Sequence, residues 1–313
     1  MSSDTGGTPA DPFLHPAFFY RDSDEYLAGT MEFIRGGLAN AEPVAVAVPP
    51  ENLALLRDAL GADAAAVRLL DMSVAGRNPG RIIPGVLRAF TDRHPNTRVR
   101  IIGEPIWAGR SALEYPACAQ HEALINTAFA GRAVTILCPY DIARLDPGVV
   151  RDALMSHPTS IDTGIEKVSP SYDPGRVVAA YNQALPAPPT GTDVLDFDEA
   201  SLPGIRHTVT EFARAAGLSA ERGLDLELAV AEATTNSVVH GGGRGIFALW
   251  TVGRQIVCQV RDRGYISDPL AGRIPAPGLR RGGRGLLLVN QLCDLVRMHT
   301  TPLGTTLQMH FAR

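Results

Sequence analysis

The stretch QALPAPPTGTDVLDFD, residues 183–198, constrains this chain more than any other. Its prolines cannot continue a helix and its small polar residues build no core, so the chain divides there. About 185 residues precede it and about 115 follow, each an ordinary domain length. The expected division is a flexible N-terminus over 1–13, a first domain over 14–182, a linker over 183–195 and a second domain over 196–313.

The two parts differ in pattern. In the first, the short apolar runs PVAVAV, AVRLL, RVRIIG and AVTILC read as buried strands. Between them, DEYLAGTMEFIRGGLAN, ENLALLRDALG, GRIIPGVLRAFTDRH and EYPACAQHEALINTAFAG read as helices. This alternation predicts an α/β domain with a mainly parallel sheet. DPGRVVAAYNQAL reads as a helix that closes the domain. The second part predicts a helix around 203–216, then a longer one through ELAVAEATTNSVVH. Two strands follow, RGIFALWTV and RQIVCQVRD, with a tight turn at Gly253. After a Gly/Arg-rich loop come a helix, GRGLLLVNQLCD, and a terminal hairpin through PLG. Helices grouped against consecutive antiparallel strands make an α+β sandwich.

Composition excludes several classes. The chain is 45% hydrophobic and 20% charged with a formal net charge of -4, so bulk electrostatics give no support for direct nucleic-acid binding. No apolar run is long enough to span a bilayer, and the polar start has no secretion signal, so no membrane association is expected. The four cysteines are scattered with no CxxC spacing, which fits a reduced cytoplasm and offers no zinc motif.

On the long helix, Glu232, Asn236 and His240 recur every four residues and share one face. Leu224, Leu228, Ala231 and Val238 lie beside them and are expected to face the core. Asp262 and Gly264 stand at a strand end, where a carboxylate can accept from an exocyclic amine and a glycine lets a flat ring approach. Gly282, Gly283 and Gly285 open a helix, whose free N–H groups suit phosphates. Asn236 can offer an amide oxygen to Mg²⁺, and Glu232 can polarise a hydroxyl or water. Each has a plainer reading alone: Glu232 a solvated helix residue, Asp262 the start of a turn, the glycines a flexible loop. His240 reads as the end of the helix before GGG, and Arg280, Arg281 and Arg284 lend the loop positive charge.

Three elements in this order resemble the GHKL (Bergerat) ATPase fold, closest to the bacterial anti-sigma-factor serine/threonine kinases. The N box would be Glu232 and Asn236, the G1 box Asp262 and Gly264, and the G2 box Gly283, Arg284, Gly285 and Leu286. The resemblance covers about the last third of the chain. It implies ATP and Mg²⁺ as cofactors, with Glu232 as general base, Asn236 as the metal ligand and Asp262 as the adenine reader. Gly264, Gly283, Gly285 and Leu286 would hold the nucleotide, with Arg284 beside its phosphates. Ile266 stands where many members have a second glycine, which bears on the adenine pocket. A sensor histidine kinase of this fold would need an acceptor helix before the ATPase domain. The one approximate candidate, His207 in HTVTEF, lies inside it, so a serine or threonine on a partner protein is the expected acceptor. The implied partners are a sigma factor, an anti-sigma antagonist of the STAS type, or both. The resemblance also allows a homodimer through the ATPase sheet, and a non-catalytic anti-sigma binding module is the alternative output.

HPAFFYRDSDEYL, GRNPGRIIPG, IIGEPIWAGR, HEALINTAF and LCPYD resemble the MEDS sensory domain over roughly residues 15–157. This implies a RecA-like α/β fold that receives an unidentified small-molecule signal. No GxxxxGK[ST] occurs, so no working phosphate loop is expected there. Polar residues cluster near predicted strand ends, where parallel sheets bind ligands. His15, Arg77, Asn78, Glu104, His121, Glu122, Asn126 and Tyr140 could line one pocket. Glu122 and Asn126 read equally as braces of a core helix, and His15 as the partner of a buried carbonyl. No spacing supports a His/Glu/Cys metal site.

Overall fold

A computed structural model describes residues 12–274 and 284–313. Its strands are β1 (Pro16–Tyr20), β2 (Val44–Val48), β3 (Val67–Asp71), β4 (Val99–Gly103), β5 (Val134–Asp141), β6 (Thr159–Asp162), β7 (Ile165–Val168), β8 (Val194–Asp198), β9 (Arg244–Val252), β10 (Gln255–Asp262), β11 (Leu295–Thr301) and β12 (Gly304–Ala312). Its helices are α1 (Ser23–Ala39), α2 (Pro50–Leu60), α3 (Met72–Ala75), α4 (Ala89–Thr91), α5 (Tyr115–Phe129), α6 (Pro147–Ser156), α7 (Pro174–Ala180), α8 (Leu202–Ala215), α9 (Ala220–His240) and α10 (Gly285–Leu292).

The first seven strands form one sheet in the order β3-β2-β4-β5-β1-β6-β7. Every pairing is parallel except the β6–β7 hairpin. All five residues of β2, VAVAV, are buried, as a central strand covered on both faces requires. One face of the sheet carries Phe18, Tyr26, Ile34, Leu56 and Leu137, the other Ile83, Leu87, Ile101, Phe129 and Ile136. Side-chain caps set the helix starts: Asp22 accepts from Glu25 N for α1, and Asp146 from Gly148 N for α6. GRIIPGVLRAFTDRH is not one helix; a 3₁₀ turn leads into a π-turn over Ile83–Arg88 and then the short α4.

The remaining strands form an antiparallel sheet in the order β11-β12-β10-β9-β8. α8, α9 and α10 cover one face of it around Val209, Val230, Phe247, Ile256, Val289 and Phe311. The sandwich therefore has the expected layers, but α9 presents another face to them. It buries Leu226, Ala229, Val230, Ala233, Thr234 and Ser237, while Leu224 and Leu228 are 67% and 44% exposed. The apolar stripe at 224 and 228 is therefore not the packed face. Small residues at 229 and 233 let α9 sit close against its neighbours.

The two parts touch extensively. The segment after β10 crosses to the first sheet, where Leu270, 6% exposed, and Ile274 join the core around Ile83 and Phe129. Asn78 donates to the Asn290 backbone oxygen at 2.8 Å, and Asn290 donates to the Gly272 carbonyl at 2.9 Å. Arg77 pairs with Asp294 at 3.1 Å, and Asn182 exchanges two hydrogen bonds with Thr300.

Candidate functional site

A cleft of about 430 Å³ opens between the C-terminal half of α9, the end of β10 and the start of α10. Asn236, Ser237, His240, Asp262, Gly264, Gly285 and Leu286 line it, with Ile266, Ile274, Met298 and Leu307 as apolar walls. The four-residue spacing of Glu232 and Asn236 brings both side chains to Gly285. A Cβ built on that glycine would lie 2.7 Å from Glu232 Oε2 and 3.0 Å from Asn236 Nδ2. The first turn of α10 thus approaches the carboxylate and the amide more closely than any side chain permits. Its first-turn N–H groups, which have no partner within the helix, and its positive end belong to the same corner of the cleft.

At the other end, Asp262 is held by two donors. Ser237 Oγ donates to Asp262 Oδ2 at 2.5 Å, and Gly264 N donates to Oδ1 at 2.7 Å. Thr305 Oγ1 donates to the Gly264 carbonyl at 2.8 Å, and Ile266 N donates to Thr300 Oγ1 at 3.0 Å. Gly264 also lies against the end of α9, where a Cβ would meet the His240 carbonyl at 2.9 Å. The β11–β12 hairpin therefore braces the Asp262 turn from behind. Ser237, Thr300 and Thr305 are the supports that motif spacing does not reveal.

These groups suit a flat heterocycle with a phosphate tail. The cleft has apolar walls, a fixed carboxylate at one end, and an amide and a helix start at the other, with the Glu232 carboxylate set against that helix start at Gly285. The cradle at Gly285 supports the fit of a nucleotide carrying Mg²⁺, for which the Asn236 amide oxygen is a hard ligand. Arg284 caps α10 and is exposed, with no side-chain cap bond. Gly283, with Arg280, Arg281 and Gly282, lies outside the described residues. His240 ends α9 and also lines the cleft. His207 is exposed on α8.

Residues 14–158 match the MEDS family, described as the methanogen/methylotroph, DcmR sensory domain, and residues 195–311 match the histidine kinase-like ATPase domain family. The chain joins a MEDS sensory domain to a histidine kinase-like ATPase domain. It is 36% identical over 108 residues to the serine-protein kinase RsbW of Halalkalibacterium halodurans, an overlap covering 30% of this chain. The chain spans about 65% of the length of that curated relative. A solved structure of the RsbU and RsbW domains of Rv1364c from Mycobacterium tuberculosis is 19% identical, with a TM-score of 0.29 over 39% of this chain and 32% of that one. No helix among the described residues is long and apolar enough to cross a membrane.

In the MEDS domain the eight expected ligand residues do not share one pocket. Arg77 and Asn78 face the ATPase domain, because the loop after α3 packs on α10. Glu104 is buried elsewhere, accepting from Tyr20 at 3.0 Å and from Asn52 at 2.8 Å. Burial, aided by Asp141, lifts its pKa to about 8 against the hydrogen bonds that favour the charged form. His15, Glu122, Asn126 and Tyr140 do meet, with His121 beside Glu122. Cys138 and His157 complete that group. His157 escaped sequence reasoning because it merely ends α6 and carries no motif.

Proposed function

We propose that this chain is a signal-responsive anti-sigma regulatory factor that transfers phosphate from ATP to a serine or threonine of an anti-sigma antagonist. The MEDS domain receives the signal, and the ATPase domain delivers the output to a sigma factor, to its STAS-type antagonist, or to both. The observation that carries this reading is the convergence of Glu232 and Asn236 on Gly285, with Asp262 fixed at the far end of the same cleft.

Each residue has a role. Asp262 reads the adenine amino group and Gly264 leaves room for the ring. The N–H groups at Gly285 and Leu286 bind the phosphates, and Asn236 holds Mg²⁺. Glu232 takes the proton of the incoming hydroxyl. Bound Mg²⁺ supplies charge neutralisation at the transferred phosphoryl group, so the protein contributes mainly positioning.

The test is transfer of γ-phosphate from labelled ATP to a STAS-type antagonist. Acid-stable label on the antagonist is expected, with Glu232→Ala and Asn236→Ala losing it. Native-rate transfer by either variant overturns the assigned roles, and acid-labile label points to histidine instead. Pull-down with and without ATP then names the partner. Ile266 in the cleft wall favours a second reading, a binding module without catalysis. That module gives no heat when titrated with ATP and Mg²⁺.

A further inference from the structure

We propose that His15, Glu122, Cys138 and His157 of the MEDS domain form a binding site for one divalent d-block metal ion of the zinc class. This inference is independent of the nucleotide reading. The four residues come from four places in the fold: the chain before β1, α5, β5 and the end of α6. All four are fully buried, and their ligand atoms lie within 4.8 Å of one another.

The hydrogen bonds around the cluster fix which atoms face inward. Asn126 Nδ2 donates to the Ser156 and Ala123 carbonyls, so its Oδ1 accepts from His15 Nδ1 at 3.1 Å. His157 Nδ1 lies 2.8 Å from the Ala153 carbonyl, which can only accept. Both histidines therefore carry their proton on Nδ1 and turn the Nε2 lone pair toward Glu122 and Cys138. Protein zinc sites orient their histidines in this way, through a carbonyl or carboxylate on the outer nitrogen.

Inside the cluster, acceptors outnumber donors. His15 Nε2 lies 3.3 Å from Cys138 Sγ and 3.7 Å from Glu122 Oε2. His157 Nε2 is 3.0 Å from Glu122 Oε2, yet among the described residues it makes no hydrogen bond, and Glu122 Oε1 also has none. Tyr140 supplies one hydroxyl to Glu122 Oε2 at 3.3 Å. Buried lone pairs that face each other without a proton are costly. A proton would relieve one such contact, whereas a dication relieves all of them.

The donor set also decides the class of ion. Two imidazoles, a carboxylate and a thiolate suit zinc and its neighbours, not the all-oxygen ions Mg²⁺ and Ca²⁺. When the ion enters, the Cys138 thiol proton leaves to solvent. One thiolate, one carboxylate and a dication then sum to zero charge, as a buried site requires. Tetrahedral bonds of about 2.0–2.3 Å place ligand atoms roughly 3.3–3.8 Å apart, a range that the 3.3 and 3.7 Å separations of His15 Nε2 from Cys138 and Glu122 already meet and that small shifts within the 4.8 Å cluster would reach for the rest. The sequence gives no sign of this because the ligands stand at 15, 122, 138 and 157, far from any metal-binding spacing.

The test uses the full chain without a polyhistidine tag, stripped with chelator and titrated with Co²⁺. One equivalent is expected to produce tetrahedral visible bands with a thiolate-to-cobalt charge-transfer band, and Zn²⁺ to abolish both. Cys138→Ser should lose the charge-transfer band, and Asn126→Ala should bind about 10–100-fold more weakly. Failure of the native chain to bind Co²⁺, or an unchanged spectrum in Cys138→Ser, overturns the proposal. Zinc-edge X-ray absorption on the loaded native chain gives a reading that needs no variant. One sulfur at about 2.3 Å with nitrogen and oxygen at about 2.0 Å is expected, and a shell without sulfur overturns the site.

Discussion

Ser237→Ala tests how Asp262 is prepared for its ligand. The Ser237 hydroxyl is buried and donates to Asp262 Oδ2 at 2.5 Å, leaving Gly264 N as the other donor to that carboxylate. A hydrogen bond to a charged group is worth about 1.5–3 kcal/mol. Alanine fits the site, and the Ala233 carbonyl that the hydroxyl also contacts keeps its helical partner. The fold should therefore lose no more than about 1–2 kcal/mol. Without the hydroxyl the carboxylate keeps the bond from Gly264 N but loses the donor on Oδ2, and part of the lost energy passes to any ligand that needs it fixed. If half does, ATP affinity falls by about 1 kcal/mol, roughly fivefold. Discrimination against GTP, whose six-membered ring presents a carbonyl instead of an amine, should fall with it. Calorimetric titration with ATP and GTP in the presence of Mg²⁺ measures both, and thermal melting controls for folding. Native ATP affinity together with native ATP/GTP selectivity would refute the claim that Ser237 prepares Asp262 for adenine.

Other outcomes follow from the same geometry. Gly285→Ala puts a methyl group 2.7 Å from Glu232 Oε2 and 3.0 Å from Asn236 Nδ2. Phosphoryl transfer should drop by about tenfold or more while circular dichroism stays native. Gly80→Ala places its methyl 2.0 Å from Asn290 Oδ1 and so displaces the amide that bonds to Asn78 and Gly272. A loss of about 2–4 kcal/mol in denaturant melts is expected, with faster hydrogen exchange around 270–274 and in α10. Glu104, with a folded pKa near 8, binds a proton that the unfolded chain has already released. Stability is present at low pH and should fall as pH rises, by about 1.4 kcal/mol per unit between pH 6.5 and 8. His15 and His121, lowered by burial to about 4 and about 3, act in the opposite sense only below that window. Glu104→Gln should flatten the slope, as followed by melts across pH.

The sheet of the MEDS domain was legible where its strands are short runs rich in β-branched and other apolar residues, unbroken in β2 and interrupted by single polar residues in β3 to β5. β1, PAFFY, is a short aromatic run that opens with Pro16 and lacks the β-branched residues of the others, and β6 and β7 are four-residue strands with little apolar content. In the ATPase domain, Glu232 and Asn236 stood out because one helical turn sets their relation locally. The residues that support Asp262 did not, since Thr300 and Thr305 reach its turn across the sheet from a hairpin about 40 residues later. Leu224 and Leu228 misled for a related reason: helical period gives a stripe, but the partner that covers it is set by the whole fold. Arg77 and Asn78 looked like ligand residues because polar side chains near strand ends often are, and here they serve the contact between domains.

That contact gives the proline-rich stretch a different meaning. Leu270 is buried among residues of the sensory sheet, and the partly buried Ile274 packs against the same core while also lining the cleft. A chain cut at residue 183 would strip apolar cover from one fragment and leave the other with an exposed hydrophobic strap. The two halves are thus expected to melt in a single calorimetric transition, and occupancy of the cleft should register as added heat stability in the half that never touches the nucleotide.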